Sequence, residues 1–331
     1  GWVSHFKPPQ MWPKELHKQW QVDVGTGYSS PLVVDGYVYQ FARQGEEEVV
    51  WCLDINSGNI RWRKAYDVPF KMGGGGEWHG KGPKSTPVFS AGRIFTFSIT
   101  GLLTAWDATS GEQLWQRDYG SRFKLSHPYW GAATSPVVDG EHVFVHFGTD
   151  DKGLLVAMDV RSGDELWSLG DTGPSYSSPL IAEIDGVRQV IEWNHLALVG
   201  IDRYTGRPLW EYPFPHAGSD QNMPTPTIHE NRIIVGGENR GIHCVAPRLV
   251  DDRWTVDEVW HQDKLALNMS SAVINEGSLY GFSHYGAGRL FCLDPTTGAI
   301  RWQGPGRTGN NVAFVSLPGY VLALLDQGVL R

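Results

Sequence analysis

The sequence predicts an all-β fold, a β-propeller, on three observations: a phrase that returns at near-regular intervals, a matching series of tryptophans, and short apolar strands between turn signals. The phrase reads small-x-Asp-x-x-Ser/Thr-Gly-x-x-x-Trp. It runs from Cys52-Leu53-Asp54 through Ser57-Gly58 to Trp62, and from Ala105-Trp106-Asp107 through Ser110-Gly111 to Trp115. Three further copies are Ala157-Met158-Asp159 to Trp167, Gly200-Ile201-Asp202 to Trp210, and Cys292-Leu293-Asp294 to Trp302. Self-similarity at a period of roughly 40 to 50 residues, with four short strands per period, is the pattern of propeller blades.

Each part of the phrase has a physical role. The Asp ends a strand and its carboxylate accepts backbone N–H groups across the turn, while the Gly supplies the positive φ that the turn needs. The Trp on the next strand fills the wedge toward a neighbouring blade and donates its indole N–H to a backbone carbonyl. One copy departs from the rule. At Cys244-Val245-Ala246 the Asp and Gly are missing, and an insertion through Pro247, Asp251, Asp252 and Trp254 delays the aromatic to Trp260, which predicts a longer hairpin in the fifth blade.

The series Trp20, Trp62, Trp115, Trp167, Trp210, Trp260 and Trp302 delimits six blades. Strands at Val312 to Val315 and Tyr320 to Leu325, the start of one at Val329-Leu330, and an N-terminal strand over Gln19 to Val24 predict a seventh, closing the ring so that no sheet edge is left open. A parent chain with about one more repeat period would have eight. Residues 1–17, with Trp2, Phe6, Pro8, Pro9, Trp12 and Pro13, read as an extended arm, and residues 18–331 as one propeller domain.

The phrase resembles the tryptophan-docking motif of the pyrroloquinoline-quinone-type (PQQ-type) β-propellers, whose usual form is Ala-x-Asp-x-x-Thr-Gly-x-x-x-Trp, and the match extends from Trp20 to Leu330. Within that family the chain is similar to the propeller lipoprotein of outer-membrane β-barrel assembly, which implies a non-catalytic binding or assembly module. The resemblance also brings in the quinoprotein dehydrogenases. Those enzymes are nearly twice as long, carry a vicinal Cys-Cys disulfide beside the quinone, and hold calcium with acidic and amide groups. Here Cys52, Cys244 and Cys292 stand alone, each in the first slot of the phrase where other copies have Ala105, Ala157 and Gly200, so they read as small buried residues, neither disulfide nor metal ligands. No cofactor and no metal are therefore expected.

Binding groups are expected in the loops before the inner strands, which begin at Ser30-Pro31, Thr86-Pro87, Ser135-Pro136, Ser178-Pro179 and Thr225-Pro226. Pro is tolerated there because the inner strand is a sheet edge. The loops offer Tyr28; Trp78, His79, Lys81 and Lys84; His127, Tyr129 and Trp130; Tyr176; His216, Asp220, Gln221 and Asn222; Asn268 and Met269; and Asn310 and Asn311. Loops on a rigid scaffold are the usual place for such groups. The plainer reading of each residue is a strand cap in a water-filled funnel. The ring as a whole fits a protein or small ligand at one channel mouth. A lyase or hydrolase on a sugar polymer is also open, with His79, Lys84, Tyr129 or His216 as acid and base and Trp78 and Trp130 as stacking platforms. The run Gly73 to Gly76 lacks the Gly-Lys-Ser/Thr ending of a phosphate loop, and the acidic groups Glu46 to Glu48 and Asp150-Asp151 read as solvated surface.

Composition restricts the partner further. A net charge of −8 without Lys/Arg clusters argues against nucleic acid, and no apolar stretch approaches the roughly 20 residues of a membrane span. A first residue of Gly fits removal of a targeting segment, so a periplasmic or secreted monomer is expected.

Overall fold

Among the described residues, twenty-six short strands pair antiparallel with their sequence neighbours within each sheet, many of them ending at turns that carry Asp, Asn or Gly. The computed structural model describes residues 3, 6–72, 79–123, 127–218 and 220–331. The run Gly73 to Gly76, Trp78 and Trp2 lie outside the described residues. The strands build six four-stranded sheets and one two-stranded sheet, each four-stranded sheet in simple sequence order, as the propeller pattern requires.

Gly1–Trp12, Leu180–Asp202 and Pro208–Arg331 make up one compact unit, and Pro13–Pro179 with Arg203–Arg207 the other. The second unit holds the sheets β1–β4, β5–β8 and β9–β12, spanning Leu32 to Leu169; the first holds β13–β16, β17–β20, β21–β24 and the pair β25–β26, spanning Leu180 to Leu325. Within each unit the cores draw on two successive sheets. Phe95, Phe97, Leu103 and Trp115 of one sheet pack with Val145, Phe147 and Met158 of the next, and Ile191, Trp193 and Trp210 pack with Ile233, Val235 and Val245.

The repeated phrase is a docking device, and its geometry recurs closely. The indole N–H of Trp62 donates to Ala108 O at 3.0 Å, that of Trp115 to Val160 O at 3.2 Å, that of Trp167 to Arg203 O at 3.0 Å, and that of Trp260 to Pro295 O at 3.1 Å. The Asp closes the turn as expected. Asp107 Oδ1 accepts from the N–H groups of Thr109 at 3.0 Å and Ser110 at 2.8 Å, and hydrogen bonds from Ser110 above all hold its carboxyl below the usual carboxylate range. The Gly does more than supply φ. At Gly163 (φ +71°) a Cβ would stand 2.7 Å from the Trp115 ring, so the turn of one blade is the floor on which its neighbour's Trp lies.

The small first slot has an equally direct cause. It is the residue directly across the ladder from the Trp: Cys52 opposite Trp62, Ala105 opposite Trp115, Gly200 opposite Trp210, Cys292 opposite Trp302. At Gly200 a Cβ would come within 2.2 Å of the Trp210 indole. All three cysteines are free and buried in this slot.

Two parts of the phrase series differ from expectation. Trp210 precedes the blade that lacks Asp and Gly, and its indole N–H turns to Gln189 Oε1 of its own sheet, at 2.8 Å. Trp302 precedes the two-stranded sheet and is 45% exposed. The N-terminal strand expected over Gln19 to Val24 does not form; residues 19–24 join no ladder, and the seventh sheet has only β25 (Val312–Leu317) and β26 (Tyr320–Leu325), plus a bridge from Leu324 to Leu330. Trp20, Val22 and Val24 instead lie on Val49, Trp51 and Leu53, and Trp51 Nε1 donates to Val24 O at 3.1 Å. Trp20 nevertheless docks by the rule, with its N–H on Ile55 O at 2.8 Å. Further upstream, Trp12 meets the Tyr320 ring edge-on at 5.5 Å.

The fifth-blade hairpin is longer, as its sequence predicts. Strands β19 (Ile242–Val250) and β20 (Arg253–Gln262) meet at Asp251-Asp252, both with positive φ, the two-residue turn whose twist suits a hairpin.

Candidate binding surfaces

The hydroxyl that opens each inner strand links it to the preceding blade. Ser30 N donates to Thr86 Oγ1 at 3.1 Å, Thr86 N to Ser135 Oγ at 2.9 Å, and Ser135 N to Ser178 Oγ at 2.8 Å; in the other unit Thr225 N donates to Ser271 Oγ at 2.9 Å. The Pro after each of the four donor residues has no N–H to satisfy, so the relay meets the donor demand of those strands' first two positions. It fixes the origins of the loops that carry the candidate residues.

In the unit of residues 13–179, the structure brings Tyr28 against Lys84 and joins His79, Trp130, Tyr129 and Tyr176 in a chain of contacts, with the Lys84 charge felt at His79. Lys84 Nζ sits 5.5 Å from the centre of the Tyr28 ring, His79 meets Trp130 edge-on at 4.9 Å, and Trp130 meets Tyr129 edge-on at 4.7 Å. Asp150 ties the far end, accepting from Tyr129 N at 2.8 Å and from the Tyr176 hydroxyl at 3.4 Å. Trp130 packs on Val68, Phe70, Met72 and Ile99, which makes it part of a small core and not a free platform. Tyr28 (60% exposed) and Tyr129 (41%) face water.

Lys84 is the unusual group of this cluster. Its ammonium nitrogen is buried with no hydrogen-bond partner among the described residues, and burial lowers its pKa to about 8 despite the Tyr28 ring, which favours the charged form. Burial, then the Lys84 charge, lowers the His79 pKa as well. A lysine depressed on folding contributes stability that is present above its ordinary pKa near 10.5 and is lost as pH falls through about 8. Reductive methylation with labelled formaldehyde, followed by NMR titration, is expected to give one dimethyl-lysine resonance with a midpoint near 8, absent in Lys84→Met. A Lys84 midpoint at or above about 10 would show that the amine is solvated.

In the other unit, the organising residue is one that the sequence does not mark. Arg240 lies in the loop between β18 (Arg232–Gly236) and β19, with its guanidinium 4.9 Å from the Phe214 ring and 5.6 Å from that of Trp193. It donates to Asn222 Oδ1 at 2.8 Å, Gln221 O at 3.3 Å and Pro215 O. Asn222 is fully buried and passes its amide to Asn194 O at 2.7 Å, so it is a strut. Around them, Asn239 joins Asp220 at 3.1 Å and His284 at 3.1 Å, and Asn268 reaches Glu238 at 3.5 Å. Burial, then Asp220, raises the Glu238 pKa, and burial lowers that of His284.

His216 and His195 rings stand 5.0 Å apart. His216 Nδ1, Gln221 Oε1, Asn268 Oδ1 and His284 Nδ1 are all buried with no hydrogen-bond partner among the described residues. Several unsatisfied polar atoms in one loop region are characteristic of a surface that is completed by water or by a partner. Asn310 stands apart from this group, its N–H and amide both held by Asp326 Oδ2 at 3.1 Å.

One acidic group read as solvated from sequence is not, and another has a tethering role. Glu48 is fully buried, accepting from Ile99 N at 2.9 Å and the Tyr66 hydroxyl at 3.0 Å, and burial raises its pKa. Asp150 is the anchor just described. Neither has a periodic signature, since each satisfies groups that come close only in the folded blades.

The sequence pattern of the family described as outer membrane protein assembly factor BamB matches residues 46–304. The chain is 25% identical over 225 residues to outer membrane protein assembly factor BamB of Yersinia pestis, covering 66% of this chain but only 55% of that protein. It is 22% identical to the Burkholderia pseudomallei protein of the same name, covering 96% of this chain and 89% of that one. It is also 28% identical over 260 residues to a 1-butanol dehydrogenase (cytochrome c) of Thauera butanivorans, covering 75% of this chain and 36% of the dehydrogenase. Among solved structures, BamB from Moraxella catarrhalis superposes with a TM-score of 0.62 at 14% identity, over 89% of this chain and 78% of that one, and has the same propeller fold. Among the described residues, no helix is long and apolar enough to cross a membrane.

Proposed function

Because the chain belongs to the family of the outer membrane protein assembly factor BamB, we propose that it is a non-catalytic, monomeric binding propeller of the periplasm that serves outer-membrane protein assembly. Its partner surfaces are the loops that precede the inner strands. The observation that carries this reading is the concentration there of exposed aromatic and unsatisfied polar groups, Tyr28 and Tyr129 in one unit and Gln221, Asn268 and His216 in the other. Exposed tyrosines beside polar groups are the usual make-up of a protein-binding hot spot. The Asp-to-Gly turns carry near-identical docking geometry from blade to blade and read as scaffold.

Photo-crosslinking from position 129 in detergent-solubilised outer-membrane protein is expected to capture a discrete partner. The double variant Tyr129→Ala with Gln221→Ala should keep the wild-type circular dichroism and lose about tenfold or more in binding to that partner. Unchanged binding by this variant, with loss instead on changing Ser57 and Ser110 in the turns, would place the function on the opposite face.

The dehydrogenase relatives motivate a second reading, a quinoprotein enzyme. Its cysteine pair has no counterpart here, since each cysteine stands singly opposite a docking Trp. The protein incubated with PQQ and calcium is expected to show no alcohol oxidation with an artificial electron acceptor; turnover with stoichiometric quinone would favour the enzyme.

A further inference from the structure

The fifth-blade hairpin carries a cluster that neither the repeat nor the assembly role accounts for: His243 on β19, with Glu258 and His261 on β20. We propose that these three side chains form a binding site for a late first-row divalent cation of the zinc class.

A bulge brings the three residues to one face. On a regular strand, positions 258 and 261 point to opposite faces, because side chains alternate. Here His243 pairs with His261 and Cys244 with Trp260, but Val245 pairs with Glu258, so Val259 is a bulge. One extra residue reverses the alternation and re-aims Glu258 to the face of His243 and His261. The candidate ligand atoms all lie within 4.8 Å of one another.

No other blade offers the same set. The same register shift follows the Trp-paired residue in the other four-stranded sheets, so equivalent positions can be read off directly. They hold Trp51, Ile60 and Arg63; Thr104, Gln113 and Gln116; Val156, Glu165 and Ser168; Val199, Pro208 and Glu211; and Phe291, Ile300 and Gln303. Two imidazoles and a carboxylate occur together only in the blade that also lost the Asp and Gly of its phrase.

The hydrogen bonds around His243 orient it for a cation. His243 Nε2 lies 2.9 Å from Arg240 O, a carbonyl that can only accept, so Nε2 carries a proton. In the neutral ring Nδ1 is then bare, yet it lies 2.7 Å from Glu258 Oε2, which also accepts a hydrogen bond from the Tyr212 hydroxyl at 2.6 Å. Two acceptors at that distance are joined either by a proton on one of them or by a cation that both approach. The N–H that His243 donates to the Arg240 carbonyl fixes its tautomer and ring orientation, as the outer-shell partner of a metal-ligating histidine does.

Two His and one carboxylate suit zinc and leave a fourth position for water or substrate oxygen. At bond lengths of about 2.0 to 2.2 Å, ligand atoms of a tetrahedral site stand about 3.3 to 3.6 Å apart, so Glu258 Oε2, 2.7 Å from His243 Nδ1, moves slightly outward on binding, and the exposed His261 ring, stacked on that of His243 at 4.0 Å, turns to aim a nitrogen at the ion.

The test is titration of the untagged full chain with Zn²⁺ at neutral pH, with Co²⁺ as a spectroscopic probe. One equivalent should bind, and Co²⁺ should give the visible bands of a four- or five-coordinate site. His261→Ala, at an exposed position, should leave the melting curve in chelator unchanged and weaken Zn²⁺ binding by about tenfold or more, and Glu258→Gln should do likewise. Absence of stoichiometric binding, or binding that His261→Ala and Glu258→Gln leave unaltered, would overturn the proposal and mean that the bridging cation is a proton on His243.

Discussion

Replacing Trp115 by Ala is expected to destabilise the protein by about 3 to 5 kcal/mol, the usual range for deleting a buried large aromatic. Trp115 is only 7% exposed and sits in the core between two sheets, with Phe95 at 5.8 Å. Its indole N–H bonds Val160 O, and its ring lies on Gly163, where no side chain could stand between them. Arg117 clamps the same turn, donating to Gly163 O and Ser162 O, both at 2.8 Å. Truncation therefore opens a cavity and leaves the Val160 carbonyl without its donor. The motif supplies its own control in Trp302, which has the same sequence context but is 45% exposed; its replacement by Ala should cost well under half as much. Denaturant unfolding of both variants checks this, and a loss below about 1 kcal/mol for Trp115→Ala would show that docking does not govern stability.

The blades were legible because each residue of the phrase makes the same kind of contact in nearly every copy, so identity at a position reports a fixed contact. Even the departures could be read: the missing Asp and Gly before Trp260 became the long hairpin. The segment 19–24 was not legible as what it is. Alternation of Trp20, Val22 and Val24 suits a paired strand and equally a segment laid over Val49, Trp51 and Leu53, and periodicity does not separate the two. The sequence assigns these residues to loops, but their partition into struts and unsatisfied groups is not legible in it. Asn222 and Gln221 are neighbours in sequence, yet one is locked by Arg240 while the other leaves its side-chain oxygen unpaired. Arg240 itself reads as a solvated loop cation, since nothing in sequence shows that Phe214 and Trp193 will cover it. The His243, Glu258 and His261 cluster escaped for a different reason. The bulge at Val259 breaks the alternation by which residues are assigned to a face.

The docking turn that receives Trp167 is held by an ion pair, and breaking that pair is the second large expected effect. Arg203 and Asp139 side chains are 10% and 11% exposed, their charged groups are in direct contact, and Arg203 Nη2 also donates to Asp139 O at 3.1 Å. The guanidinium lies 4.4 Å from the Tyr204 ring, so it is stacked as well as paired. The Arg203 carbonyl is the acceptor of the Trp167 indole at 3.0 Å. Asp139→Ala leaves a nearly buried cation without its anion, which typically costs about 3 to 5 kcal/mol, and is expected to loosen Trp167 at the same time. Adding Arg203→Met to Asp139→Ala should recover most of that loss, because the unpaired charge, not the absence of the bridge, is the source of the cost. Urea unfolding of the two single variants and the double variant, followed by tryptophan fluorescence, measures the coupling directly. If Asp139→Ala loses less than about 1 kcal/mol, or if Arg203→Met restores none of the loss, then the turn is held by Tyr204 stacking and backbone bonds and the ion pair is incidental.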